Sequence, residues 1–105
     1  MRVVIIKDDN AVNVDGVRRT VDLGDLPADF HAMQWYDTWG EIEYRMVNCE
    51  HCGGRNKKPN LVTGDLSPYQ KYVDAWHVED ARVKAAEAAE ALARAEAASA
   101  AGPQT

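Results

Sequence analysis

Cys49 and Cys52 lie three positions apart, and of all residues in this chain their type and spacing best suit a metal site. Two thiolates in a Cys-x-x-Cys pair can hold one edge of a zinc tetrahedron, and the following Gly53-Gly54 permits the tight turn. A closed site needs four ligands, and the sequence holds no second pair. Further ligands would come from a second copy of the chain or from His31, His51 and His77. The alternative is two free thiols in a loop. We therefore expect no resident cofactor, and zinc on Cys49 and Cys52 if a metal binds.

Other catalytic arrangements are missing from the sequence. It contains no glycine-rich phosphate loop, no nucleophile elbow and no pair of acidic residues at a general acid/base spacing. His31 and His77 have no evident catalytic partner. We therefore predict that the protein is not an enzyme.

Trp35 and Trp39 flank a predicted turn, where aromatic rings can be partly exposed. Tryptophan is enriched among the residues that carry most of the energy of protein interfaces. Packing in the core or at the sheet edge is the alternative for both rings. Trp39 is our candidate interaction residue in this region.

Length and charge exclude several classes of protein. A chain of 105 residues has room for one small domain and none for a TIM barrel or a two-half dinucleotide fold. A formal net charge of −5 argues against a nucleic-acid partner. No apolar run approaches the roughly 18 residues of a membrane span, and Val3–Ile6 is shorter than the apolar stretch of a secretory signal, which takes about 7–15 residues. We expect synthesis in a cytoplasm and no membrane partner.

The first element that would position the candidate residues is a β-sheet over residues 1–45. Short β-branched runs separated by turn residues predict a small antiparallel β-meander of four or five strands with one buried face. Asp15-Gly16 between apolar neighbours predicts a tight hairpin. Val17 to Leu23 is predicted as a single strand. Residues 46–66, which contain both cysteines, show neither a helical nor a strand period and are predicted to be a loop.

The rest of the chain predicts a C-terminal α-helix over residues 67–101 and a tail over residues 102–105. Asp65 or Ser67 can cap the helix, Pro68 suits its first position, and Gly102-Pro103 ends it. An apolar stripe in its first turns predicts docking on the sheet, which gives an α+β fold. This stripe is Tyr69, Tyr72, Val73, Trp76 and Val83.

Such a helix would be about 50 Å long, more than a sheet of this size can cover, so part of it must project. Ala85, Ala89 and Leu92 form a candidate seam along the projecting part, which Glu96 interrupts. Leu92 is therefore a second candidate interaction residue. This pattern is compatible with two alternatives, a homo-oligomer that packs along the seam and a single helix surrounded by solvent.

Several short motifs carry a resemblance that covers roughly residues 2–80. They are Asn13-Val14-Asp15-Gly16-Val17, Val21-Asp22, Leu26-Pro27, His31-Ala32-Met33-Gln34-Trp35, Gly40-Glu41-Ile42-Glu43-Tyr44, Leu66-Ser67-Pro68-Tyr69 and Trp76. In these motifs the chain resembles a group of small proteins of tailed bacteriophages and prophages that are encoded beside tail or tail-fibre genes. The cysteine loop and the alanine-rich tail lie outside the pattern.

The resemblance implies a non-enzymatic virion component, a small tail-tip or tail-fibre attachment or accessory protein that acts through protein–protein contacts. Its partners would be other tail or fibre proteins, and its location the phage tail. Because tail fibres are commonly threefold, a homotrimer is favoured by this analogy. The alternatives are a phage assembly chaperone or host-directed inhibitor absent from the virion, or a small zinc-binding regulatory module.

Overall fold

The chain forms an antiparallel β-sheet followed by a long helix in the computed structural model, which describes residues 1–48 and 55–100. This arrangement confirms the predicted α+β class. The strands are β1 (Arg2–Ile6), β2 (Ala11–Val14), β3 (Val17–Thr20), β4 (Phe30–Tyr36), β5 (Gly40–Tyr44), β6 (Val47–Asn48), β7 (Arg55–Asn56) and β8 (Leu61–Thr63). The helix is α1 (Gln70–Ala100), preceded by a 3-10 turn over Ser67–Tyr69.

Within the described residues the main sheet has six strands in the order β3-β2-β1-β4-β5-β8. Strand β4 returns across the sheet to pair with β1, on the side opposite β2. The order β4-β1-β2-β3 is therefore a Greek key, and not a simple up-and-down path. The sixth strand, β8, pairs with β5 and lies in the segment that the sequence predicts as a loop.

The predicted hairpin at Asp15-Gly16 joins β2 to β3. Both residues have positive φ, at 50° and 86°, as a type I′ turn requires. The register pairs Val14 with Val17 directly across the turn. A short-range signal was sufficient here because the turn depends on neighbouring residues alone.

Strand β3 ends at Thr20, three residues before the predicted end at Leu23. The reason is a set of hydrogen bonds to Asn10, whose carbonyl accepts from the Val21 N–H (2.9 Å) and whose side-chain Oδ1 accepts from the Leu23 N–H (3.1 Å). Val21 and Leu23 are buried all the same, so the chain leaves the ladder without leaving the core.

The predicted loop over residues 46–66 contains short strands in its described part. Strand β6 pairs with β7, and β8 extends the main sheet. An alternating pattern was missing because β8 is only three residues long and lies at an edge, where Leu61 and Val62 remain exposed. Backbone pairing with β5, and not side-chain burial, places this strand.

The core lies on one face of the sheet, against the first turns of α1. The strand registers align Val3, Ile5, Met33 and Ile42 along this face, and each is at most 2% exposed. The helix contributes the buried residues Tyr72, Val73 and Trp76, as the stripe in the sequence predicted.

Beyond Val83 the helix leaves the sheet. Every side chain from Lys84 to Ser99 is exposed. The molecule extends over 81 Å in its longest direction, with a radius of gyration of 20.5 Å, against about 13 Å for a compact domain of this length. No helix in the described ranges is long and apolar enough to span a membrane.

Candidate interaction surfaces

The sheet and the helix are held together at one end of α1 by partly buried polar contacts. The Trp76 Nε1–H donates to the Val17 carbonyl at 2.9 Å, and the Tyr72 hydroxyl donates to Asp25 Oδ1 at 2.8 Å. Burial is the largest cause that raises the pKa of Tyr72, and the Asp25 carboxylate adds to it. These contacts set the direction in which the rest of the helix projects.

An ion-pair network closes the docked part of the helix. Asp80 is only 7% exposed; its Oδ1 accepts from Arg19 Nε at 3.1 Å, and its Oδ2 lies 2.8 Å from Lys84 Nζ. The hydrogen bond from Lys84 and the charge of Arg19 hold the pKa of Asp80 below its usual value. The Asp80–Lys84 spacing predicts part of this network, whereas the partner Arg19, 61 residues away, has no local signal in the sequence.

The first candidate surface is an aromatic pair at the turn between β4 and β5. Trp39 is 45% exposed and stacks on Tyr36, with ring centroids 4.7 Å apart. The Tyr36 hydroxyl donates to Gln34 Oε1 at 2.6 Å, and the Arg2 guanidinium lies 5.4 Å from the Tyr36 ring centroid. These contacts fix the rings in place, so the pair presents a preorganised apolar surface.

The backbone of this turn also supports the aromatic pair. Asp37 has a φ of 83°, a left-handed conformation that is uncommon outside glycine. Its carboxylate accepts from the Met1 ammonium at 2.9 Å, which raises the pKa of that amino group. Gly40 follows, where a Cβ atom would lie 2.8 Å from both the Gln34 carbonyl oxygen and Cε3 of Trp35. A glycine is therefore required for the chain to re-enter the sheet.

Tyr36 is a residue that the sequence reasoning missed. Its spacing of three residues from Trp39, across a turn, was the available signal. Trp35, the other tryptophan beside the turn, faces the core and is 5% exposed. Trp35 and Tyr36 are neighbours in β4, and neighbouring residues of a strand point to opposite faces. Trp35 therefore lies in the core, and Tyr36 lies on the surface beside Trp39.

The second candidate surface is the side of α1 that faces away from the sheet. Leu92 is 60% exposed and Val78 is 73% exposed. Both are large apolar side chains on a helix whose docked residues lie on another side. The sequence reasoning identified Leu92 and missed Val78, although Val78 lies two heptads before Leu92.

The remaining chemical candidates do not converge in the described residues. Cys49 and Cys52 lie outside them. His31 is half-buried in β4, and His77 is exposed on α1 with its ring against Trp76 at 5.0 Å. Across residues 1–48 and 55–100 there is no group of three or more metal-ligating side chains.

A shallow depression of about 120 Å³ lies on the face of the sheet opposite the core. Its walls are Ala32, Gln34, Glu41, Glu43 and Asn60. The Asn60 amide donates to Glu41 Oε1 at 2.9 Å, so two of the lining residues pair with each other. This surface is typical of the solvated side of an antiparallel sheet.

No family model, curated protein or solved structure matches this chain.

Proposed function

We propose that the protein is a non-enzymatic adaptor of a phage tail, placed at the tail tip or at the attachment point of a fibre. The observation that carries this proposal is the helix, which leaves a small folded sheet and exposes every side chain over residues 84–99. A helix that has left its own core is stable in water mainly when its apolar face packs on something else.

The two candidate surfaces support a joint between partners. The Trp39–Tyr36 pair lies on the sheet, while Leu92 lies near the far end of α1. Two separate apolar surfaces on a narrow molecule suit a protein that contacts two neighbours at once. The phage setting comes from the motif resemblance, and the neighbours are other tail or fibre proteins and further copies of this chain.

Quantitative mass spectrometry of gradient-purified particles from the source phage or induced prophage tests the proposal. We expect a small, fixed copy number per particle. Absence from particles, together with abundance in the infected lysate, would overturn the structural assignment and indicate an assembly chaperone or host-directed inhibitor.

A matched pair of variants connects this test to the aromatic surface. Trp39→Ala should lower the number of copies per particle, because it removes the exposed ring that we assign to a partner contact. Val62→Ala shortens another exposed apolar side chain, on the edge strand β8, and should leave the copy number unchanged. Equal copy numbers for Trp39→Ala and the parent chain would remove Trp39 from the contact.

A further inference from the structure

The projecting helix has an uncharged face that its docking direction defines. Positions spaced three and four apart, starting from Val78, carry no charge over 18 residues, and all are exposed. We call this set the outer face: Val78, Ala81, Ala85, Ala88, Leu92 and Ala95. At 3.6 residues per turn, it lies about 140° around the helix from the docked residues Val73, Trp76 and Val83. A second helix can therefore approach without meeting the sheet.

The outer face shares Ala85 and Leu92 with the seam predicted from the sequence. It contains Ala88 and Ala95 where that seam has Ala89 and Glu96. Glu96 then stops being an interruption and becomes a flanking residue. Arg82 flanks the outer face on the same side, 14 residues earlier. Charges at flanking positions of paired helices set partner choice and orientation.

The chain exposes more surface than a compact monomer of its size. The accessible surface is 7093 Å², whereas a compact monomer of this size exposes about 5,800 Å². The excess of about 1,300 Å² belongs to the whole elongated chain, so a standard interface of roughly 800 Å² on each partner would include residues that flank the outer face. Most residues of the projecting segment are alanine, so the contact is expected to be close but weak.

We infer that a second copy of this chain packs antiparallel along the outer face, about a twofold axis near Ala89. In this register Arg82 of each copy lies opposite Glu96 of the other, which forms two equivalent ion pairs. Leu92 then lies level with the stretch between Ala85 and Ala88 of the second copy, so a large side chain meets two small ones. Residues 82 and 96 are equidistant from Ala89, which is why one axis satisfies both pairs.

The parallel arrangement lacks this complementarity. With both helices pointing the same way, Arg82 faces His77 of the other copy and Glu96 faces Ala91, so no opposite charges meet. Within its own helix, Glu96 has no lysine or arginine three or four residues away. Arg82 Nε already donates to Glu79 Oε2 at 2.9 Å. A contact with Glu96 of the second copy would extend this ion pair into a network of three residues. The charges thus favour a twofold pair over the threefold arrangement expected from tail fibres.

Sedimentation equilibrium on the full chain, at concentrations up to about 0.5 mM, tests the inference. We expect a monomer–dimer equilibrium that weakens as salt is added, because the ion pairs are exposed. Arg82→Glu and Glu96→Arg should each weaken dimerisation about tenfold, since each turns two attractions into two repulsions. Glu87→Arg, the same charge change away from the outer face, is the matched control and should leave dimerisation unchanged.

Mixing the two single variants gives the decisive result. In an antiparallel pair, the glutamate introduced at position 82 of one variant meets the arginine introduced at position 96 of the other. At the second contact, the unchanged Arg82 meets the unchanged Glu96. The mixture should therefore dimerise as the parent chain does, while each variant alone dimerises more weakly.

Three results would each overturn the inference: a monomer at all concentrations, a trimer, or a dimer indifferent to these charges. Particle composition does not report on this contact. A failure here is therefore distinct from a failure of the proposed function.

Discussion

Trp76 is the residue that joins the helix to the sheet. It is 6% exposed, lies in the hydrophobic core and donates its indole N–H to the Val17 carbonyl at the edge strand β3. A tryptophan is suited to this position because one side chain supplies both a large apolar surface and a single donor.

We expect Trp76→Ala to lower the free energy of unfolding by about 3–5 kcal/mol, because it opens a cavity and leaves the Val17 carbonyl without its donor. Urea denaturation followed by circular dichroism measures the change. Trp39→Ala is the control, with an expected loss of about 1 kcal/mol from its stacking on Tyr36. A loss for Trp76→Ala as small as that of the control would contradict the docking described here.

Asp80 ties stability to pH. Its pKa is lowered in the folded chain, first by the hydrogen bond from Lys84 and then by Arg19. The folded state therefore holds this carboxylate ionised at a pH where the unfolded chain has begun to bind a proton. The resulting stabilisation is present above the unfolded pKa of about 3.9 and is lost as the pH falls through the lower folded value.

The expected outcome is an Asp80→Asn variant that is less stable than the parent at pH 7, with the difference shrinking as the pH falls below about 4. Unfolding free energies measured by urea denaturation between about pH 2.5 and pH 7 give the two curves. Two curves that stay parallel over the whole range would show that Asp80 does not contribute to the acid sensitivity of the fold.

The long helix consists of two parts with different support. Residues 70–83 bury side chains against the sheet, whereas residues 84–99 bury none within the described chain. High alanine content and the Glu90–Arg94 pair favour helix in the second part, but short isolated helices are only marginally stable. The two parts should therefore differ in local stability.

A chain that ends after Ala86 keeps the Asp80–Lys84 contact, and residues 87–99, which it lacks, are exposed helix. We expect its free energy of unfolding to match the parent within about 1 kcal/mol at micromolar concentration. A chain that ends after His77 also loses Asp80 and Val83 and should be markedly less stable. Tryptophan fluorescence in a urea titration reports both, since all three tryptophans are retained. A large loss for the first truncation would mean that the projecting part supports the fold.

The whole molecule is elongated because its core ends where the sheet ends. Its radius of gyration of 20.5 Å is well above the roughly 13 Å of a compact domain of equal length. Small-angle X-ray scattering, extrapolated to zero concentration to remove any dimer, should return a value close to that of the structure. The chain that ends after Ala86 should fall toward the compact value. A compact parent chain would show that the helix folds back in solution.

The parts of the fold that could be predicted depend on neighbouring residues. The Asp15-Gly16 turn, the long helix with its docking stripe, and the burial of Ile42 in β5 follow from local turn chemistry and periodicity. The Greek-key path and strand β8 could not be predicted, because they depend on which distant strands pair, and a pairing across the sheet leaves no short-range pattern.

The candidate surfaces divide in the same way. The sequence by itself determined that the helix is longer than the sheet can cover, since alanine content and helix length are local properties, and it drew attention to Trp39 and Leu92. Only the tertiary structure decided that Tyr36 stacks on Trp39 and that Arg19 pairs with Asp80. It also decided that docking through Trp76 turns Val78 and Leu92 outward. The physical reason is that contacts between elements depend on how those elements pack, and a helix acquires an inside and an outside only when one of its faces meets a core.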